Sequence, residues 1–178
     1  MQIFRPYIDW RLSAAALDNK RLGKQRVECK QVLKAILRRL NLINDGKRGW
    51  LNHPIVLMYY NDGRAYIQDL VSFFQACVDE WKRREFTSTI SLDDIKELLE
   101  KVESLDGTPI THVHEVEYRR ILLIKNPEHY LKVFTREELW EVVETEPVPI
   151  NGINLWIWND LEKYRKFIEQ IRKTISCL

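Results

Sequence analysis

An all-α fold, arranged as a single compact helical domain, is predicted for this chain of 178 residues by three observations. Apolar residues recur at helical spacing through most of its length. Helix-starting residues stand just before several of those stretches. Gly-, Asn- and Asp-containing turn segments separate them.

Residues 12–22 read as a short Ala-rich helix running into a longer basic one. From Leu22 the apolar set Cys29, Val32, Leu33, Ile36, Leu37 and Leu40 keeps a helical period. Asn44-Asp-Gly-Lys-Arg-Gly49 is a turn that ends it. Pro54 fits the first position of a helix reaching about Tyr60, where Asn61-Asp-Gly63 breaks it. Tyr66, Leu70, Phe73, Phe74, Cys77, Val78 and Trp81 mark a second long amphipathic helix that finishes in Lys82-Arg-Arg84. Ser91-Leu-Asp-Asp94 offers an N-cap and acidic first-turn residues, which predicts a helix over 92–103. After a loop at Asp106–Pro109, helices are expected from about His114 to Lys125 and, behind the Thr135–Glu138 capping box, over 136–144. Pro147 to Ile157 reads as a short extended segment, and Asn159 as the cap of a last helix to about Ser176. The part after 135 is expected to pack on the rest as a C-terminal extension.

Composition narrows the class. A hydrophobic fraction of 45% supplies a core, and six Trp, seven Tyr and six Phe serve both packing and stacking. No apolar run approaches the roughly 20 residues of a membrane span. The start, Met1-Gln-Ile-Phe-Arg-Pro, lacks an apolar signal region, and a cytoplasmic monomer is the expectation. Cys29, Cys77 and Cys177 are too widely spaced for a zinc motif or a disulfide framework, and the first two fall on apolar helix faces as buried thiols.

Charge is distributed unevenly. Between Arg11 and Arg48 stand eleven Lys/Arg against three Asp/Glu, whereas the whole chain nets only +2. Cations crowded on one surface repel one another unless anions offset them, so this pattern points to a polyanion. On a helical wheel with Glu28 at zero, the apolar stripe centres at roughly 100°, and Lys20, Lys30, Lys34 and Arg38 lie at roughly 200–280°. Arg21 and Arg39 fall at roughly 20° and Lys24 at roughly 320°. Glu28 thus sits on the flank of the apolar stripe, beneath cations, where burial favours its acid form and the cations favour the carboxylate. The plain alternative is a Lys24–Glu28 surface pair, worth about 0.3–0.5 kcal/mol.

Other constellations carry less. His112-Val-His114 lacks the companions a metal site needs. Trp156, Trp158, Phe73 and Phe74 read as core, and Tyr59-Tyr60 is balanced between packing and stacking on a base. No nucleotide-binding loop or dinucleotide fingerprint is present.

Three blocks together resemble the pyrimidine-dimer DNA glycosylase family, and its small bacterial members above all. Arg21-Leu-Gly-Lys-Gln-Arg-Val-Glu28 is similar to the family's basic helix ending in a catalytic glutamate. His53-Pro-Ile-Val-Leu-Met-Tyr-Tyr60, followed by the helix that ends Glu80-Trp-Lys-Arg-Arg-Glu-Phe86, resembles a second block. Tyr118-Arg-Arg-Ile-Leu-Leu-Ile-Lys-Asn-Pro-Glu-His-Tyr130 looks like the family's third, Arg-containing helix. The likeness runs over about residues 1–134.

The resemblance implies an all-α repair enzyme acting on damaged double-stranded DNA, with no metal or organic cofactor and no membrane partner. It implies excision of a damaged base, such as one in a pyrimidine dimer, with AP-lyase activity through a Schiff base on the N-terminal amine. Glu28 becomes the catalytic carboxylate, and Met1 supplies the amine because Gln2 is too bulky for efficient removal of the initiator residue. Arg21, Lys24, Arg26, Lys30 and Arg119 become DNA contacts. An α-amine suits the role because its ordinary pKa of about 8 leaves neutral nucleophile near pH 7. The interval from Met1 to Glu28 exceeds the family's, which leaves open a glycosylase that uses Glu28 to activate water instead. A non-catalytic DNA- or RNA-binding module, and a glycosylase for modified bases or RNA, are the rival readings.

Overall fold

In a computed structural model, which describes residues 1–177 apart from the side chains of Leu155 and Trp156, the protein is all-helical. Ten α-helices and one 3-10 turn are found among the described residues, and no strand. They are α1 (Trp10–Ala16), α2 (Asn19–Arg39), α3 (Pro54–Tyr60), α4 (Ile67–Arg83), α5 (Lys96–Leu99), α6 (His112–Lys125), α7 (Pro127–Val133), α8 (Arg136–Glu144), α9 (Leu155–Asn159) and α10 (Leu161–Ser176). Two compact units emerge. The first holds Met1–Phe4 and Asp9–Pro109, and the second holds Arg5–Ile8 and the chain from Ile110 onward. The expected extension, 135–178, lies in the second unit together with 110–134.

In the first unit α2 and α4 pack along their length, and α1 lies against α4. Leu22, Cys29, Val32, Leu33, Ile36 and Leu37 from α2 meet a core that also takes Leu70, Phe73, Phe74 and Cys77 from α4. Both buried cysteines are free thiols. Gly23 is where the indole of Trp81 approaches the α2 backbone: a Cβ there would stand 3.3 Å from two ring carbons. Arg84, just past α4, fastens the α1–α2 junction by donating to the carbonyls of Leu17 (2.8 Å) and Ala15 (3.0 Å) and to Asn19 Oδ1 (2.9 Å).

The helix expected over 12–22 does not run into the basic one. It occupies Trp10–Ala16, Leu17 is extended, and Asp18 caps α2 by accepting the Arg21 N–H at 2.8 Å. The helix expected over 92–103 contracts to the single turn of α5. Its acidic start is engaged by the basic helix instead. Asp94 takes Lys30 at 2.6 Å and Lys34 at 2.7 Å, and the Ser91 carbonyl accepts from Lys30 at 2.7 Å. The expected extended segment, Pro147–Ile157, contains no strand: 146–150 carry no regular structure, 151–154 turn and 155–159 form α9, and Asp160 rather than Asn159 caps α10. Trp158 is exposed, against its expected place in the core; the side chain of Trp156 lies outside the described residues.

The second unit is organised by a buried ion pair on α6. Arg120 is fully buried and Glu117 nearly so, and they meet at 3.2 Å. Arg120 also donates to the Val142 carbonyl, Thr145 Oγ1 and the Tyr164 hydroxyl. Glu117 accepts from the Val148 N–H at 3.1 Å and from Asn154 Nδ2 at 2.6 Å. One charged pair therefore ties α6 to the end of α8, to the segment that follows it and to α10. Removing one member of such a pair strands the other charge away from water. Arg120→Met should destabilise the protein by about 3–5 kcal/mol in urea unfolding, and adding Glu117→Leu should return part of that loss.

Candidate active site

The first four residues run beside α2, and one buried side chain holds them there. Gln25 is fully buried. Its Oε1 accepts the backbone N–H of Phe4 at 2.8 Å, and its Nε2 donates both to the Gln2 carbonyl and to Glu28 Oε2, each at 3.1 Å. A neutral amide is suited to this position because it supplies a donor and an acceptor at one reach. Glu28 stands three residues further along α2, on the same face.

The half-buried Glu28 carboxylate also accepts the backbone N–H of Gln2. That contact puts the α-amine of Met1 one peptide unit away, where consecutive Cα atoms are about 3.8 Å apart. The longer interval between Met1 and Glu28 is thus taken up by the path of the chain. Burial raises the Glu28 pKa above the ordinary carboxylate range, and the Met1 amine, Lys24, the Gln2 N–H and Gln25 oppose it. The result is a partly desolvated carboxylate whose charge is supported mainly by a neighbouring amine, an arrangement able to stabilise a cation forming between them.

A third group joins this cluster. His53 precedes Pro54 at the start of α3 and caps that helix, its Nδ1 accepting the Ile55 N–H at 3.2 Å. Burial first, and then the charge of the Met1 amine, lower its pKa, so the imidazole is held neutral.

The expected DNA contacts separate into different classes. Lys24 is exposed, as is Lys20 one turn before it. Arg21 pairs with Asp18 at 2.7 Å. Arg26 lies over the Trp81 ring at 4.0 Å and donates to Ser88 Oγ at 2.7 Å, and Trp81 in turn stacks on Phe86 at 4.3 Å. Lys30 is occupied by Ser91 and Asp94. Arg119, in the second unit, has only 5% of its side chain exposed; it lies over Tyr7 and pairs with Glu138 and Glu141, each at 3.4 Å. Its guanidinium is withdrawn from solvent. His112 bridges Glu115 and Glu141, and His114 completes the Thr111 capping box and meets Asn151 at 2.7 Å, so both histidines have polar partners within their own unit.

Sequence reasoning passed over Gln25 and gave His53 no role. The three-residue spacing from Gln25 to Glu28 and the position of His53 just before a helix-starting proline were the available signals. Replacing Gln25 by Leu strands the buried Phe4 N–H and the Gln2 carbonyl, at a cost of about 1–3 kcal/mol. Gln25→Leu should therefore lower the urea midpoint, and amide exchange at Phe4 should accelerate.

The profile of the pyrimidine dimer DNA glycosylase family matches residues 1–94, just over half of the chain. The match takes in Met1, Gln25, Glu28 and His53 and ends before the Tyr118–Tyr130 block. No curated protein and no solved structure matches the chain significantly. With its amine, glutamate and clamping amide all inside the matched segment, the chain belongs to the pyrimidine dimer DNA glycosylase family.

Proposed function

We propose that the protein excises a damaged base, such as one in a pyrimidine dimer, from double-stranded DNA and then cleaves the strand as an AP lyase. The observation that carries this reading is the Gln2 N–H on Glu28, which brings the Met1 amine beside the carboxylate while Gln25 holds both. The neutral amine adds to C1′ as the bond from C1′ to the base breaks, and the bonding electrons leave with the base. Glu28 offsets the positive charge that grows at the sugar. Opening of the ring gives an imine at C1′, and β-elimination then breaks the C3′–O bond. Lys20 and Lys24 face solvent along α2 and are suited to hold backbone phosphates, with an affinity that falls as salt rises.

Borohydride reduction of a reaction on photodimer-containing duplex should trap a covalent adduct. Acetylating the N-terminus should abolish it, and Glu28→Gln should slow glycosidic-bond cleavage roughly 10²–10⁴-fold while leaving duplex binding in place. Such cleavage without an adduct would instead identify water as the nucleophile. Loss of neither base nor strand would favour a binding module. Because Glu28 acts ionised and its pKa is raised, the rate should fall with decreasing pH at a value above that of an ordinary carboxylate. A pH–rate profile of base release checks that limb.

A further inference from the structure

Breaking a glycosidic bond makes two demands. The sugar must bear positive charge, and the departing base must bear negative charge. The amine and Glu28 answer only the first. A candidate for the second lies at the start of α3. Because Nδ1 of the neutral His53 ring accepts the Ile55 N–H, the ring proton sits on Nε2. Among the described residues no hydrogen bond or ion pair engages that Nε2–H. The charge of the Met1 amine lowers the pKa of both His53 and Glu28.

Beside it stands Trp50, 53% exposed, with its backbone in the left-handed region at φ 69°. A bulky residue held there costs on the order of 1–3 kcal/mol, a kind of strain that concentrates at ligand-binding positions. The indole meets the His53 ring edge-on, centroids 5.4 Å apart, and the Trp50 carbonyl accepts the His53 N–H at 3.0 Å. Arg39 fixes the loop by donating to the Leu51 carbonyl at 2.9 Å and to Asn52 Oδ1 at 3.0 Å, with its guanidinium 4.5 Å above the Tyr60 ring. Arg39 shares the α2 face of Glu28, so this loop is moored on the side of the helix that bears the carboxylate. Trp50 also walls an open cleft of about 500 Å³ whose lining holds Lys47 and the Arg38–Asp45 and Lys34–Asp94 ion pairs. An aromatic face and a free N–H donor together describe a receptor for one nucleobase.

We propose that Trp50 and His53 form the subsite of the departing nucleobase, with Trp50 stacking on it and His53 Nε2–H donating to its carbonyl oxygen. For a pyrimidine, the electrons of the broken C1′–N1 bond delocalise onto O2, and the hydrogen bond to His53 strengthens as they do. His53 keeps its proton, and N1 of the detached base, which in a photodimer stays joined to its neighbour, takes one from water. This assignment rests on the glycosylase reading above.

Two variants separate the donor from the helix cap. His53→Ser keeps an N-cap acceptor but has no distal N–H, whereas His53→Gln carries an N–H near the level of Nε2 and caps poorly. Each is assayed on a photodimer duplex, where a glycosidic bond must break although the base stays joined to its neighbour through the cyclobutane ring, and on an abasic duplex, where no such bond remains. His53→Ser should slow glycosidic-bond cleavage about 10²-fold or more while trapping the borohydride adduct on abasic duplex at the wild-type rate. His53→Gln should recover part of that cleavage despite its weaker cap. Equal slowing of His53→Ser on both duplexes, or no slowing on either, would overturn the assignment. A wild-type protein that releases no base and traps no adduct would instead remove the glycosylase reading and this subsite with it.

Discussion

The arrangement of the N-terminal segment in the first unit depends on one buried amide. Gln25 has no access to water, so each of its three hydrogen bonds fixes something that solvent cannot replace. One fixes the Phe4 backbone, one the Gln2 backbone, and one the Glu28 carboxylate. A chain terminus is ordinarily among the least ordered parts of a protein. Here it is tied to the middle of a long helix whose inner face is packed against α4, and the amine inherits the rigidity of that packing.

Electrostatics then divide the basic helix into scaffold and free cations. Much of the positive charge near the N-terminus is neutralised within the first unit: Arg21 by Asp18, Arg38 by Asp45, and Lys30 and Lys34 by Asp94, whose carboxyl they hold down to about 2. Those pairs build the scaffold, while Lys24 beside Glu28 and Lys20 one turn before it remain exposed. A count of charges along the chain identifies the basic face and overstates how much of it is left for an external anion. Arg119 makes the same point from the second unit, where the carboxylates of Glu138 and Glu141 and the ring of Tyr7 already enclose it.

What the sequence made legible follows from which interactions are local. Helical periodicity and caps located α2, α3, α4, α6, α8 and α10 to within a few residues, because apolar spacing and first-turn hydrogen bonds are properties of neighbouring residues. The stretch after Ser91 failed because its acidic start pairs with lysines some sixty residues away, and spacing along the chain carries no trace of that. Glu28 stood out as a lone carboxylate among cations. Gln25 carried no charge to attract notice, and its function exists only once the N-terminal segment lies beside it. The Glu117–Arg120 pair was hidden for a related reason: at a spacing of three it resembles any surface pair, and only the arrival of Thr145, Asn154 and Tyr164 buries it.

On this reading the Met1 amine and Glu28 act as one electrostatic unit. A carbon-detected NMR titration of the Glu28 carboxyl, in the protein with its N-terminus free and with it acetylated, tests that claim without recourse to any substrate. Acetylation removes a positive charge that now lowers the Glu28 pKa, so the titration should move to higher pH while the fold is retained. An unchanged Glu28 titration would mean that the amine does not reach the carboxylate, and the account of a shared nucleophile-and-carboxylate site would be wrong.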